Sequence, residues 1–389
     1  MSEFLDLLET VKAEDVSIER MFNAREDGRG VRSMRRDDPR YVRSFSEAAK
    51  LVAAVVEGRT PMYRLQEAMS TSDFPLLFGD IIDRSMLGKY REWPTIWAQL
   101  ARRGTVRDFR KKRMFTMDGA EGVLSPVGPG AEYPEAALTE GKYDYAVSKF
   151  GRRVPFLWEV FVNDDLDALR ETPSRLAKAA RMSEERFATE LYVDSTGPDA
   201  AFYTGSRRIT TGGVGLDVGK LSTALSALWA QTDTDGNPIF TGQVRLVVPP
   251  ALAVAAQNIM NATEIRVATG GGGTAAADQI TARNWIGGQV AEVVVNPWLP
   301  IIDVSANKNT TWYLFADPGV GRPAMEVGFL AGHEAPELFL KTPNAVRVGG
   351  GTVGAEEGSF ETDGIDYKVR HVFGGALLEP KAALAYIGA

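Results

Sequence analysis

The chain contains no cysteine. Disulfides, thiolate nucleophiles and cysteine-ligated metals are therefore excluded, and stability has to come from packing or from association with other copies. Histidine is almost as scarce, with two in 389 residues, His333 and His371. They stand too far apart for one helix to present a pair of imidazoles to zinc. No apolar run approaches the roughly 18 residues that a membrane helix needs. The acidic opening MSEFLDLLETVKAEDVS lacks the basic and apolar regions of a secretion signal. The expectation is a protein made and used in a cytoplasm, or released by lysis, with no membrane partner.

Catalytic and nucleotide-binding motifs are missing as well. Near Lys220, Val214 stands where a phosphate loop needs its first glycine and Leu221 where it needs a hydroxyl. Asp233, Asp235 and Asn237 open like a calcium loop, but Pro238 replaces the glycine and Val244 the closing glutamate. There is no G-x-S-x-G elbow, and the glycines at 270–273 lack dinucleotide spacing. Asp164 and Asp165 form a tight carboxylate pair, which helix capping explains without chemistry. His371 reads as a packing histidine on an apolar strand face. His333 beside Glu334 in a Gly-rich turn is weak evidence of a base. The expected catalytic, cofactor and metal sets are all empty.

What is present is an ordinary globular composition, 44% hydrophobic and 24% charged, long enough for two or three domains. The net charge of -7 argues against a surface that clamps nucleic acid all round, while leaving local basic patches open. The organising stretch is Lys149 to Ser195. Val154, Phe156 and Trp158 alternate with Pro155, Leu157 and Glu159, so both faces are largely apolar, as in a covered central strand. Thr172-Pro173 then signals a helix start. Leu176, Ala180, Ser183, Phe187 and Leu191 form a narrow stripe, with Arg175, Lys178, Arg181, Glu184 and Glu185 on other sides. Such a helix spans about 30 Å and crosses a domain in one pass.

Ahead of it, residues 1–24 show helical spacing, and 25–43 carry seven arginines against four acids. That segment is either a basic arm for nucleic acid or an acidic neighbour, or a solvated linker. Ser44 and Glu47 pattern as a capping box, Thr60-Pro61 opens another helix, and helices break at Trp93-Pro94. From Thr105 to Thr116 the chain is strand-like and basic. Residues 119–134 then include seven Gly or Pro. Strands flank this excursion, which suggests a long hairpin arm. An arm of this kind buries little against its own chain, so a partner surface has to repay its ordering entropy. Arg110, Lys111, Lys112 and Arg113 at its base and Glu132, Glu135 and Glu140 at its far side suit contact with another copy; a surface loop is the alternative. Beyond residue 205, strands alternate with helices as in a mixed α/β domain. The tail puts Ile365, Tyr367, Val369, His371 and Phe373 on one strand face, returning beside Val154 to Trp158.

The run GAEYPEAALTEGKYDYAVSKFGRRVPFLWEVFVNDDLDAL, the long Ala/Glu helix after it and the ending FGGALLEPKAALA resemble the major capsid proteins of tailed bacteriophages. The resemblance covers roughly residues 105–389 and implies the Hong Kong ninety-seven capsid fold. The implied class is α+β, with a long spine helix, a peripheral sheet domain, an inserted mixed α/β axial domain, an extended hairpin loop and a helical N-terminal arm. Expected boundaries are 1–104 for the helical region and arm, and 105–215 for the peripheral domain with its loop at about 117–142 and spine at about 172–194. The axial domain is expected over 216–345, and 346–389 returns to the periphery. The implied function is a non-enzymatic subunit of an icosahedral head shell enclosing double-stranded DNA. Its partners would be copies of itself in hexamers and pentamers, with portal, scaffold or decoration proteins, and DNA bound weakly and non-specifically inside. Assembly in the host bacterial cytoplasm and location in the virion follow. Two alternatives stand beside it: an encapsulin-like nanocompartment shell around a cargo enzyme, and a carboxylate-dependent hydrolase using Asp164 and Asp165.

Overall fold

The computed structural model describes residues 39–56, 59–60, 64, 85–118, 127, 139–156, 166–211, 215–232, 236, 238–239, 242–268, 279–319, 323–341 and 365–388. Its helices are α1 (Pro39–Val56), α2 (85–92), α3 (Leu166–Tyr192), α4 (Val218–Trp229) and α5 (Ala253–Asn261). Its main strands are β1 (Arg102–Val106), β2 (Lys112–Asp118), β3 (Thr139–Tyr145), β4 (Ser148–Phe156), β5 (Arg208–Thr211), β6 (Val244–Val248), β7 (Val290–Val295), β8 (Trp312–Ala316), β9 (Met325–Leu330), β10 (Glu337–Leu340), β11 (Ile365–Leu377) and β12 (Ala383–Gly388). The chain is of mixed helix and strand, and it divides into two compact units, each assembled from separated segments. The first takes residues 1–94, 148–183 and 330–373; the second takes 95–147, 184–329 and 374–389.

In the first unit β11 is flanked by two antiparallel partners. β4 pairs with it from Ser148 opposite Phe373 to Phe156 opposite Ile365. β10 pairs on the other edge, Glu337 opposite Arg370 through Leu340 opposite Tyr367. The tail strand therefore returns beside Val154, where the alternation of apolar residues placed it. Side chains two apart share a face, so Tyr367, Val369 and His371 point one way. Val369, with Val154 and Leu338, packs against Leu176, Ala177 and Ala180 of α3 and Met86 and Tyr90 of α2. Each such fully buried aliphatic side chain contributes roughly 1.5–3 kcal/mol.

Two helix starts differ from expectation. α1 begins at Pro39, so Ser44 and Glu47 lie inside it instead of boxing its N-terminus; Ser46 Oγ bonds back to the Arg43 carbonyl at 2.9 Å. Proline at a first helical position loses nothing, because that N–H has no helical partner. α3 begins at Leu166, and Pro173 sits within it as its eighth residue. A proline there forfeits one intrahelical hydrogen bond, which a helix of 27 residues survives. α2 stops at residue 92, just before Trp93-Pro94, as the proline requires.

The second unit holds a five-stranded mixed sheet in the order β7-β6-β8-β12-β5. β6 and β7 run parallel, with α5 in the connection between them. β8 is antiparallel to both neighbours, and β12 is parallel to β5. The last strand of the chain, expected with the periphery, thus lies inside this sheet. Every residue of β8 and β12 is buried, which explains their uninterrupted apolar runs. Trp312 and Tyr386 stack across the pair at 4.6 Å. One face is sealed by Leu221, Leu225 and Leu228 of α4. Asp217 caps that helix, accepting the Lys220 amide at 2.8 Å. The Asp233 to Asn237 turn lies largely outside the described residues.

β11 reaches its second-unit end through Gly374, where another segment comes very close. A Cβ on Gly374 would stand 2.3 Å from the Ala146 carbonyl oxygen. Backbone cannot swing aside as a side-chain tip can, so any substituent has to displace a strand. Gly374→Ala is expected to destabilise the subunit by about 1–3 kcal/mol, the range for an overpacked core position. Urea unfolding of the unassembled protein measures this; an unchanged midpoint would mean that the approach is looser than drawn.

Candidate functional site

Of the residues singled out by the sequence, Lys112 stands at the base of one hairpin. β2 and β3 pair antiparallel from Lys112 opposite Tyr145 to Asp118 opposite Thr139. Together they form a two-stranded sheet of their own. The expected extended loop thus has paired strands at both ends, and its tip, 119–138, lies outside the described residues except for Val127.

What fixes the base is a carboxylate from elsewhere in the second unit. Glu326, whose side chain is 1% exposed, interrupts the otherwise apolar strand β9. Its Oε1 accepts Lys112 Nζ at 2.7 Å and the Tyr145 hydroxyl at 2.6 Å. Its Oε2 accepts Arg102 Nε at 2.8 Å and Nη2 at 2.6 Å. Lys112 and Tyr145 are the first cross-strand pair of the hairpin, so one buried group grips both strands where they start. Charge-assisted bonds of this kind are roughly twice as strong as neutral ones. Burial pushes the Glu326 carboxyl up, but the bonds from Lys112, Tyr145 and Arg102 outweigh it and hold the group below the usual carboxylate range. Burial, and then the bond to Glu326, raises the Tyr145 hydroxyl far above its ordinary value. Gly328 is bare for the same reason, since a Cβ there would lie 2.2 Å from the Tyr145 oxygen.

A second buried pair holds the chain just ahead of β1. Glu185 Oε1 and Oε2 accept the amides of Ile96 and Trp97 at 2.7 and 3.1 Å, and Glu184 Oε2 accepts the Trp97 indole N–H at 3.1 Å. Helical periodicity put both glutamates on solvent-facing sides, yet they are buried while Ser183 is exposed. Full hydrogen bonding is what allows a carboxylate to sit there. Trp97 also packs on Phe329 at 5.6 Å, which ties this turn to β9.

The remaining predicted contact residues fall into two groups. Arg110 is almost fully exposed, with Asp108 at 3.9 Å. Lys111 reaches Asp144 at 3.0 Å, and Arg113 is exposed opposite that same Asp144. Lys112, by contrast, is spent on Glu326 of its own chain. Glu132 and Glu135 lie outside the described residues, and Glu140 stands opposite Met117 with its side chain outside them. Asp164 and Asp165 also fall outside. His371 is buried against Tyr90 and Phe373, at 5.9 and 5.0 Å. His333 pairs with Glu337. Among the described residues no group of acids and histidines could hold a metal. Sequence reasoning misses Glu326, Glu184 and Glu185; the one available signal is a lone charge inside the strand MEVGFL.

Residues 141–386 match a family model described as Phage capsid protein. No curated protein matches the chain. Similar solved structures include one titled Gordonia phage Cozz, with 13% identity, a TM-score of 0.44, and coverage of 77% of this chain and 88% of that one. The capsid structure of cyanophage P-SCSP1u has 15% identity, a TM-score of 0.44, and coverage of 76% and 88%. An encapsulin complex from Synechococcus elongatus has 12% identity, a TM-score of 0.45, and coverage of 76% and 88%.

The grip of Glu326 yields a pH signature. With its folded carboxyl held below the unfolded value near 4.3, the unfolded chain takes up the proton first as pH falls. The stabilisation is therefore whole above that value and is lost as pH drops through the folded one. Glu326→Gln is expected to cost about 1.5–3 kcal/mol at neutral pH, the range for weakening hydrogen bonds to a charged group. The gap from the parent should narrow in acid. Unfolding midpoints of both proteins between neutral and acid pH test this, and a gap independent of pH would show that the network is not held by charge.

Proposed function

The chain belongs to the phage capsid protein family, a family of structural proteins, and is a major capsid subunit; from that premise we propose that its hairpin arm builds the shell by lying on a neighbouring copy. The carrying observation is that β2 and β3 pair with each other in a two-stranded sheet while Glu326 clamps their base. A hairpin alone is marginally stable in water, so a clamped root with an unsupported length fits an arm whose ordering is completed on another molecule. Closed shells are built by repeating such contacts under symmetry. Many modest contacts spread over several neighbours hold the shell without any one being strong.

In this reading the subunits form the hexamers and pentamers of an icosahedral head around double-stranded DNA. Assembly takes place in the host bacterial cytoplasm, and portal, scaffold or decoration proteins complete the particle. The exposed cationic edge of the arm is Arg110, Lys111 and Arg113, with Lys112 withdrawn to Glu326. Glu132, Glu135 and Glu140 supply the opposite sign.

Reversing the charge of Arg110, Lys111 and Arg113 together is expected to weaken assembly and make it less dependent on salt, with subunit unfolding nearly unchanged. Electron microscopy of wild-type and variant lysates, beside unfolding of the unassembled subunit, tests this. Shells of normal yield and salt response from the variant would remove these three residues from the contact. Wild-type protein that stays monomeric under all assembly conditions would remove the arm itself. Particle contents test the cargo: genome-length DNA is expected, and a single co-purifying enzyme would mark a nanocompartment instead.

A further inference from the structure

β6 and β7 are parallel neighbours, so both leave the sheet of the second unit at the same end, where the Asn296 amide bonds to the Val248 carbonyl at 2.9 Å. β6 runs through Pro249-Pro250 into α5, and β7 runs through Asn296-Pro297 into a short turn of helix over Leu299–Ile302. Each exit sends one apolar side chain inward and another outward. Leu252 and Ala256 join the core beside α4, and Leu299 is buried. Val254 and Ile301, two residues beyond Leu252 and Leu299, are instead 71% and 60% exposed, and Val304 is 71% exposed. These are the three most exposed large apolar side chains among the described residues. Pro250, Ala251 and Pro297 are exposed in the same two segments. Single exposed apolar residues are ordinary on a protein surface, whereas a group of them gathered at one end of one sheet marks a contact.

The two segments are also bare of charge. Residues 246–263 and 293–302 contain no Asp, Glu, Lys, Arg or His, in a chain of which 24% is charged. Asp303, the next charge after the second run, is 2% exposed and accepts the Ser305 amide at 2.7 Å. The segments therefore offer no cation to a phosphate and no carboxylate to a basic peptide, which excludes nucleic acid as their occupant. Charge depleted around an apolar centre is the composition of permanent contacts between like chains, whose interfaces resemble a core cut in half. A capsid subunit meets copies of itself on several sides, under the symmetry that closes the shell. A second copy is thus the partner that both the composition and the setting select.

We propose that this uncharged end of the second-unit sheet is a contact between copies of the chain, separate from the arm and buried when the shell closes. The absence of cysteine makes the test clean. Val254→Cys, Ile301→Cys and Val304→Cys, made one at a time, each introduce a single thiol at an exposed position. Maleimide labelling is then compared between unassembled subunits and intact shells. The thiols should react freely in the subunit and at least tenfold more slowly in the shell, and dissociating the shells should restore the faster rate. Ile301→Asp should lower shell yield at least tenfold while leaving the unfolding midpoint of the unassembled subunit where it was. If that midpoint falls, the labelling decides by itself.

Shells whose thiols stay as reactive as those of the free subunit overturn this surface alone, and so does a normal yield of shells from Ile301→Asp. Protection that is present in DNA-filled particles and lost in empty ones would make DNA the cover and overturn the assignment. Protection lost when another protein is stripped from the particle would do the same. A chain that forms no shells, with its thiols open throughout, would overturn this contact and the arm contact together.

Discussion

The second unit depends on a charge that would be intolerable in its position without its partners. Glu326 lies in a strand that is buried throughout, where an isolated carboxylate would take up a proton or unfold its surroundings. Four donor contacts from three residues keep it ionised. Because two of those residues open the hairpin, the energy of satisfying the carboxylate is coupled to the pairing of β2 with β3. Losing the pairing would strand the charge, and losing the charge would free the strands to splay. That coupling gives a two-stranded ribbon a fixed root that its own ladder would not provide.

Glu184 and Glu185 extend the same device. Backbone amides ahead of a strand are otherwise unsatisfied, and burying them costs about as much as losing a hydrogen bond. Glu185 takes two of them and Glu184 takes the neighbouring indole. One turn further on, Asn296 Nδ2 reaches Thr189 Oγ1 at 2.9 Å and the Tyr192 hydroxyl at 3.0 Å. The C-terminal stretch of α3 is therefore held by polar groups as much as by packing, whereas its earlier stretch is held by Leu176, Ala177 and Ala180. The same helix uses two chemistries along its length, and its sequence shows the change as small apolar residues give way to paired glutamates.

The sequence is legible where local physics decides. Alternation places β4 and β11 side by side, and Trp93-Pro94 stops a helix. The family resemblance is carried by that order of elements. What stays hidden is non-local. Arg102 and Glu326 are separated by 224 positions, and Trp97 and Glu184 by 87, so no window of sequence contains both halves of either contact. Helical periodicity also assumes that charged side chains face water, and Glu184 breaks that assumption because its partner donor is supplied by tertiary structure. Lys112 misleads for the same reason. As one of four consecutive cations it looks like solvated surface, and only the fold brings a buried carboxylate to it.

The absence of recognisable catalytic motifs and the density of saturated polar groups are connected. A catalytic acid or base needs an unspent lone pair or proton and a pKa near the working pH. Glu326 and Asp366 are driven the other way, below the ordinary carboxylate range, by partners that occupy their oxygens. Tyr145 is driven upward by burial and by its bond to Glu326, which locks its proton in place. Groups tuned in this manner hold shape and exchange nothing. Shell subunits need that property, because their free energy is released at contacts with other copies and any looseness at the root of an arm would be subtracted from it as ordering entropy. A buried carboxylate held in its charged form at neutral pH is therefore a mechanical part here, and the same logic makes Glu337 and Asp366 fasteners for their arginines.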